Sequence, residues 1–299
     1  MVGKGIQLGV LAPALSPDPR RAARLARQCG FSGLLFDATS SAVDIIALPA
    51  SGRREFRHTL SSQDQQLIGL RSDLGPKGLG IEADVDQALS RLTRVMEATA
   101  QLAAPLVCVD LGPLPPAPRP VSPKPTVTPQ QAGLILVPEP ARQPPPPAQA
   151  ENAPDPRFVA QVQRALTELG GQADRFNVIV AFRSELSSLA SLCQALRLAA
   201  CPWFGVDLDP VAVLRDTWDM DEAFSQLGGS IRHVRSRDAA VGADHRTRPA
   251  VIGQGSVAWA TILSSLDAAA YHGWLTIDSI DLTDRRAAAA SGLAYLRKL

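Results

Sequence analysis

The chain has 299 residues, 45% of them hydrophobic, and its 30 basic side chains against 29 acidic ones leave a net charge of +1. That length and apolar content suit a large buried core, and the balance of charge, with no basic block or aromatic-interleaved basic stripe, argues against nucleic acid or an anionic membrane as partner. No run approaches 18 apolar residues, so no spanning helix is expected, and four cysteines without CxxC spacing suit buried thiols in a reducing cytoplasm, the expected location.

Eight short apolar runs follow one another: 5–12, 32–38, 66–70, 105–112, 177–182, 203–208, 231–235 and 273–278. Each is rich in Val, Ile, Leu and Phe and apolar almost throughout, the pattern of strands buried on both faces. The first continues into a polar amphipathic segment, and its apolar stretch is short for a secretory leader. Between the runs lie helical patterns at 18–30, about 50–64, 84–103, 155–170, 185–200, 219–228, 256–271 and 284–298. Leu89, Leu92, Val95 and Met96 show the three-to-four spacing of a buried helix face. Gly30, Gly170, Gly228 and Gly273 fall where left-handed C-caps are expected. Strict alternation of eight strands and eight helices predicts a single (β/α)₈ TIM barrel spanning 1–299, with its chemistry at the C-terminal ends of the strands.

One stretch breaks the rhythm. Residues 113–156 hold sixteen of the 25 prolines, including Pro144 to Pro147, and a chain without those amide donors cannot continue the barrel. It reads as an insertion after strand four, on the catalytic face. Two readings stay open, a flexible solvated insert or a lid docked through the apolar island at 133–138.

The segments GFSGLLFD, LQLAAPLVCVDLG, GVDLDP and HVRSRDA, followed by IGQGSVAWATILSSLDAAAYHGWLTID, resemble the sugar phosphate isomerase/epimerase family of xylose isomerase-like TIM barrels. The likeness covers nearly the whole chain outside 113–156. It implies a sugar or sugar-phosphate ligand and a divalent metal, Mn²⁺ or Mg²⁺, held by a glutamate, an aspartate, a histidine and a glutamate at the ends of strands five to eight. Carried over residue by residue, Asp209 matches the strand-six aspartate and Asp278 stands in the place of the final glutamate. Phe182 or Arg183 occupies the strand-five position and Arg235 the histidine position, and a guanidinium is no metal ligand. Glu185 and His233 lie two residues away, on the same strand faces, and are the candidate substitutes that would complete a catalytic set with Asp209 and Asp278. Two residues move a side-chain root by roughly 6–7 Å, however, several times a metal–ligand bond.

Arg183 and Arg235 leave two readings open. Either they pair with Asp209, Asp278 and Asp207 and replace the metal's charge, or their forks face the open mouth and take a ligand's phosphate or carboxylate. Asp37 and Asp110 end strands two and four, where they would bind ligand hydroxyls or cap the following helices. Arg71 is expected to pair with Asp73, and Arg237 with Asp238. Gly253-Gln254-Gly255 lacks the third glycine of a phosphate-binding fingerprint and reads as a tight turn with Ser256 as N-cap. The expected function is isomerisation or epimerisation of a sugar-like carbonyl compound. The alternative is a metal-free barrel, without cofactor, that binds a ligand or serves as a scaffold; the oligomeric state is left open.

Overall fold

The computed structural model of the chain describes residues 5–117, 154–183, 187–243 and 246–299. Eight parallel strands close a barrel: β1 (Gln7–Leu11), β2 (Gly33–Asp37), β3 (Gln66–Asp73), β4 (Leu106–Asp110), β5 (Ile179–Arg183), β6 (Phe204–Leu208), β7 (Ile231–Ser236) and β10 (Trp274–Ile277). β10 pairs with both β7 and β1, completing the ring. Every expected strand is present, because a parallel strand covered on both faces is written as an unbroken apolar run.

The outer layer is helical: α1 (Ala12–Leu15), α2 (Pro19–Cys29), α3 (Ala50–Ser61), α4 (Val85–Gln101), α5 (Pro156–Phe176), α6 (Leu189–Ala199), α7 (Pro210–Arg215), α8 (Met220–Leu227), α9 (Trp259–Ala268) and α10 (Arg285–Leu296). Carboxylates start several of them. Asp18, Asp84, Asp155, Asp219 and Asp284 each accept a backbone N–H in the first turn, satisfying a donor that the helix itself leaves orphaned. Only Gly30 of the four expected glycine caps is left-handed, with φ 88°. Gly170 lies inside α5, Gly228 is right-handed, and Asn177, Ala200 and Ala270 take the left-handed φ elsewhere.

Two apolar compartments result. The larger lies between sheet and helices, with Val10, Leu34, Leu70, Val107 and Leu166 fully buried. The smaller fills part of the barrel bore with Leu11, Leu35, Ile68, Leu106, Cys108 and Ala181. Trp274 packs against it, and a Cβ on Gly33 would stand 2.6 Å from the indole ring, so the bare backbone of Gly33 makes room for the tryptophan. The apolar bore is built mainly from β1 to β5. The β6, β7 and β10 side carries Asp207, His233 and Thr276 instead, all buried.

Two features were not expected. The loop after β7 forms an antiparallel hairpin of β8 (Asp238–Val241) and β9 (Thr247–Ala250), and a further short helix, α7, precedes α8, which fills the expected helix at 219–228. Most of the proline-rich stretch, 118–153, lies outside the described residues, as do the island at 133–138, Glu185 and His245.

Candidate functional site

At the C-terminal rim the barrel places one charged residue from each of seven strands, and their signs alternate around the ring. Asp37 ends β2, Arg71 lies in β3, Asp110 ends β4 and Arg183 ends β5. Asp209 follows β6, Arg235 lies in β7 and Asp278 follows β10. Parallel registry aligns neighbours directly, Asp37 with Arg71 and Asp110 with Arg183. Two chains of ion pairs result. In the first, Asp37 accepts from Arg71 Nε at 2.7 Å, and Arg71 Nη1 reaches Asp278 Oδ2 at 3.4 Å. Asp278 Oδ2 also accepts from Arg235 Nε at 2.7 Å, and Arg235 Nη1 stands 3.8 Å from Asp209. In the second, Arg183 Nε stands 3.4 Å from Asp110 Oδ2, and Arg183 Nη1 donates to Asp207 Oδ2 at 3.2 Å.

Beneath the rim, Asp207 meets His233. Its Oδ1 is 2.6 Å from His233 Nδ1, and His233 Nε2 is 2.7 Å from Thr276 Oγ1, so both ring nitrogens are engaged in a fully buried triad. Burial pushes the Asp207 carboxyl up. The neighbouring His233, its hydrogen bond, and then Arg183 and Arg235 outweigh burial and hold the group at about 2. The same contest at Asp278 ends below the usual carboxylate range, with Arg235 and Arg71 overcoming desolvation. Arg235 is desolvated too, but Asp278 and Asp209 raise it above its ordinary value. Burial drives the Cys108 thiol, just below the rim, well above its ordinary value, with Asp207 adding to the effect. That thiol is therefore no nucleophile at neutral pH.

Neither expected neighbour pair forms. Arg71 turns to Asp37 and Asp278 rather than to Asp73, because residues two apart on one strand share a face and project side by side, whereas Asp37 stands opposite in registry. Asp73 accepts from Gly75 N instead. Arg237 donates from Nε to Asp209 Oδ2 at 2.7 Å, not to Asp238. Asp238 is buried and accepts from the amides of Ala239, Gly253 and Val257, more distantly from Gly255, and from Trp259 Nε1. The Gly-x-Gly turn therefore wraps a carboxylate of its own chain. Gly255 has no room for a side chain there, since a Cβ would sit 2.1 Å from Asp238 Oδ1. Ser256 does not cap a helix; its Oγ accepts from Val241 N and ties the turn to the hairpin. Asp209 is a cap as well, since its Oδ1 accepts from Val211 N at the start of α7. Asp110 caps no helix: its Oδ1 accepts from Gly112 N.

Above the ring opens a cleft of about 650 Å³, lined by Asp37, Arg71, Asp110, Arg183, Arg235 and Arg237 among others. Of the residues singled out in the sequence, Asp37, Asp110, Arg183, Arg235, Asp209 and Asp278 converge on it or directly below it. His233 is sealed underneath. Arg71 completes the ring of seven, aligned in registry with Asp37, and Arg237, two residues beyond Arg235, adds a further cation beside Asp209.

The implied divalent metal does not fit this arrangement. The outward oxygens of Asp209 and Asp278 both point at guanidinium groups, and Arg235 holds the place between them. Each remaining oxygen accepts a backbone N–H, from Val211 and Ile280. Cys108, Asp207 and His233 also bring ligand atoms within 4.8 Å of one another. Both imidazole nitrogens there are already bonded, and Arg183 sits on the carboxylate, so a dication would meet a buried positive charge.

A closed parallel barrel with its polar side chains gathered at the strand C-termini defines a TIM barrel with a mouth-facing site. The chain belongs to the xylose isomerase-like TIM barrel family, whose sequence profile matches residues 23–299. No curated protein matches it in sequence. Among solved structures it is similar to D-psicose 3-epimerase from Clostridium cellulolyticum H10 with D-tagatose, at 12% identity and TM-score 0.68 over 98% of both chains. It is also similar to 3-keto-D-glucoside 4-epimerase from E. coli, at 16% identity and TM-score 0.68 over 98% of this chain and 100% of that one. A third is a xylose isomerase-like TIM barrel protein from Mycobacterium smegmatis in complex with magnesium, at 15% identity and TM-score 0.66 over 98% and 95%. At these identities the likeness speaks for the fold.

Proposed function

We propose that this barrel binds a sugar-like, polyhydroxylated molecule at its mouth without a divalent metal, and that it is a ligand-binding member of its family rather than a metal-dependent isomerase or epimerase. The observation that carries this reading is the ring of alternating charge, in which Arg235, with Arg71 and Arg237 beside it, balances Asp278 and Asp209 where the family resemblance implies a metal. Arginine forks and carboxylates together offer donors and acceptors in the fixed geometry that vicinal hydroxyls need, each charge-assisted bond contributing about 1.5–3 kcal/mol. A free phosphate is a poorer match to the ring itself, because it would have to displace a carboxylate from a guanidinium that already has one.

Proton abstraction next to a carbonyl needs a base with a pKa near the working pH. Asp207, at about 2, and Asp278, also lowered, are weak bases, and His233 is buried behind Asp207 and Thr276. The epimerase reading rests on the structural neighbours, and D-tagatose is accordingly the first ligand to try. The test combines metal analysis of the purified protein with calorimetric titration of D-tagatose in the presence and absence of EDTA. The expected result is sub-stoichiometric metal and binding that EDTA leaves unchanged. One equivalent of tightly held Mn²⁺ or Mg²⁺, lost together with binding in Asp209→Ala, would replace this reading with metal-dependent catalysis.

A further inference from the structure

A second groove, of about 690 Å³, runs on from the mouth and shares Thr39, Pro76 and Arg91 with it. Its charge differs from that of the ring. Lys77, Arg91 and Arg94 line it against two carboxylates, Asp44 and Asp84, and both of these accept hydrogen bonds from their own backbone, at Ala47 N and Gln87 N. Arg91 and Arg94 stand three residues apart on α4 and therefore on one face. Among the described residues the Arg91 side chain hydrogen-bonds only to the Thr39 hydroxyl, at 3.3 Å, and Arg94 has no hydrogen bond or ion pair. Lys77 pairs with Glu82 at 3.4 Å where both side chains are more than half exposed, a contact that solvent and salt weaken.

From this contrast we infer that the groove is an anion-receiving arm of the same site, and that the ligand is a polyhydroxylated chain ending in a phosphate or a carboxylate. The inference rests on the reading that the mouth takes the hydroxylated part. In the ring, Arg71, Arg183 and Arg235 are each matched by a carboxylate. In the arm, Arg91 and Arg94 have no carboxylate partner among the described residues, so the free energy available to an anion lies there and not in the ring. Arg91, lining both spaces, joins the two.

A matched series tests this: D-tagatose, D-tagatose 6-phosphate and D-tagaturonate, titrated into wild type and into the double variant Lys77→Ala/Arg94→Ala, whose residues are exposed and lie outside the mouth. In wild type at low salt, at least one anionic member should bind ten times or more tighter than the neutral sugar, and the advantage should shrink as KCl rises. Which member gains most separates phosphate from carboxylate. In the double variant the advantage should vanish while neutral-sugar affinity stays unchanged. Equal affinity of all three for wild type, or an advantage that survives in the double variant, overturns the arm and leaves the mouth reading intact. An anionic member that binds through Lys77 and Arg94 when the neutral sugar does not bind removes the mouth reading and keeps the arm. Failure of all three removes both.

Discussion

Arg235 Nε donates to Asp278 Oδ2 at 2.7 Å, and through this bond a guanidinium stands where the family resemblance implies a metal ligand. Truncating Arg235 to alanine would leave Asp278 and Asp209 buried with less compensation. Breaking a buried pair in this way costs about 3–5 kcal/mol, although Arg71 and Arg237 keep a share of the charge balanced.

The pair Arg183→Glu, Arg235→His should convert the mouth from metal-indifferent to metal-binding, because it removes two positive charges and installs two ligands beside Asp209 and Asp278. Thermal shift with Mn²⁺ and Co²⁺ is the readout, with a rise expected in the double variant and none in wild type. If the wild-type protein gains as much from Mn²⁺ as the variant does, the arginines do not replace the metal.

Stability against acid follows from Asp207 and Asp278. Both carboxyls are depressed in the folded chain, so their stabilisation is complete above the ordinary carboxylate value of 3.8 and is lost as pH falls toward the folded value, about 2 for Asp207. Urea denaturation should show a contribution of about 2 kcal/mol from Asp207 disappearing between roughly pH 4 and pH 2. In Asp207→Asn that part of the acid slope should be missing; an unchanged slope would show that the carboxyl is not held down.

Asp238→Asn should detach the hairpin. An amide offers one acceptor oxygen and turns an N–H₂ toward amides that are themselves donors, so several buried donors lose their partner. A Tm lower by roughly 5–10 °C is expected, with faster hydrogen exchange confined to 238–257. Uniform exchange across the barrel would count against a local role.

Thr276→Val keeps the side-chain shape and removes the hydroxyl from His233 Nε2. A loss of about 1–3 kcal/mol is expected from the unpartnered ring nitrogen. Sugar affinity should not move, since Thr276 lies below the ring. A variant as stable as wild type would mean that the histidine finds another partner.

The barrel was legible because its strands are continuous apolar runs and its helices carry capped, periodic faces. The hairpin was not, since Asp238–Val241 and Thr247–Ala250 are four residues each with no alternation of buried and exposed positions, leaving no periodicity to read. The left-handed caps at Ala200 and Ala270 were illegible for a related reason: tertiary packing imposes a conformation that alanine does not favour. At the site, strand-end position identified Asp209, Asp278, Arg183 and Arg235, but sequence adjacency misled for Arg71 and Arg237. Their partners come from other strands, Asp37 and Asp209 from the adjacent ones and Asp278 from beyond β1, a relationship that appears only once the barrel is closed.

β1 alone among the barrel strands ends without a charge at the rim, on Leu11. Seven alternating signs must begin and end alike, so Asp37 and Asp278 face each other across β1, and Arg71, bonded to both, resolves the mismatch. An odd-numbered row of alternating charges of this kind resists piecemeal change. Reversing an inner member leaves like charges on both flanks, and reversing Asp37 or Asp278 leaves them on one, so descendants of this chain should alter the rim by paired substitutions or not at all, and a gain of metal ligation by single steps would cross an intermediate with an unbalanced rim.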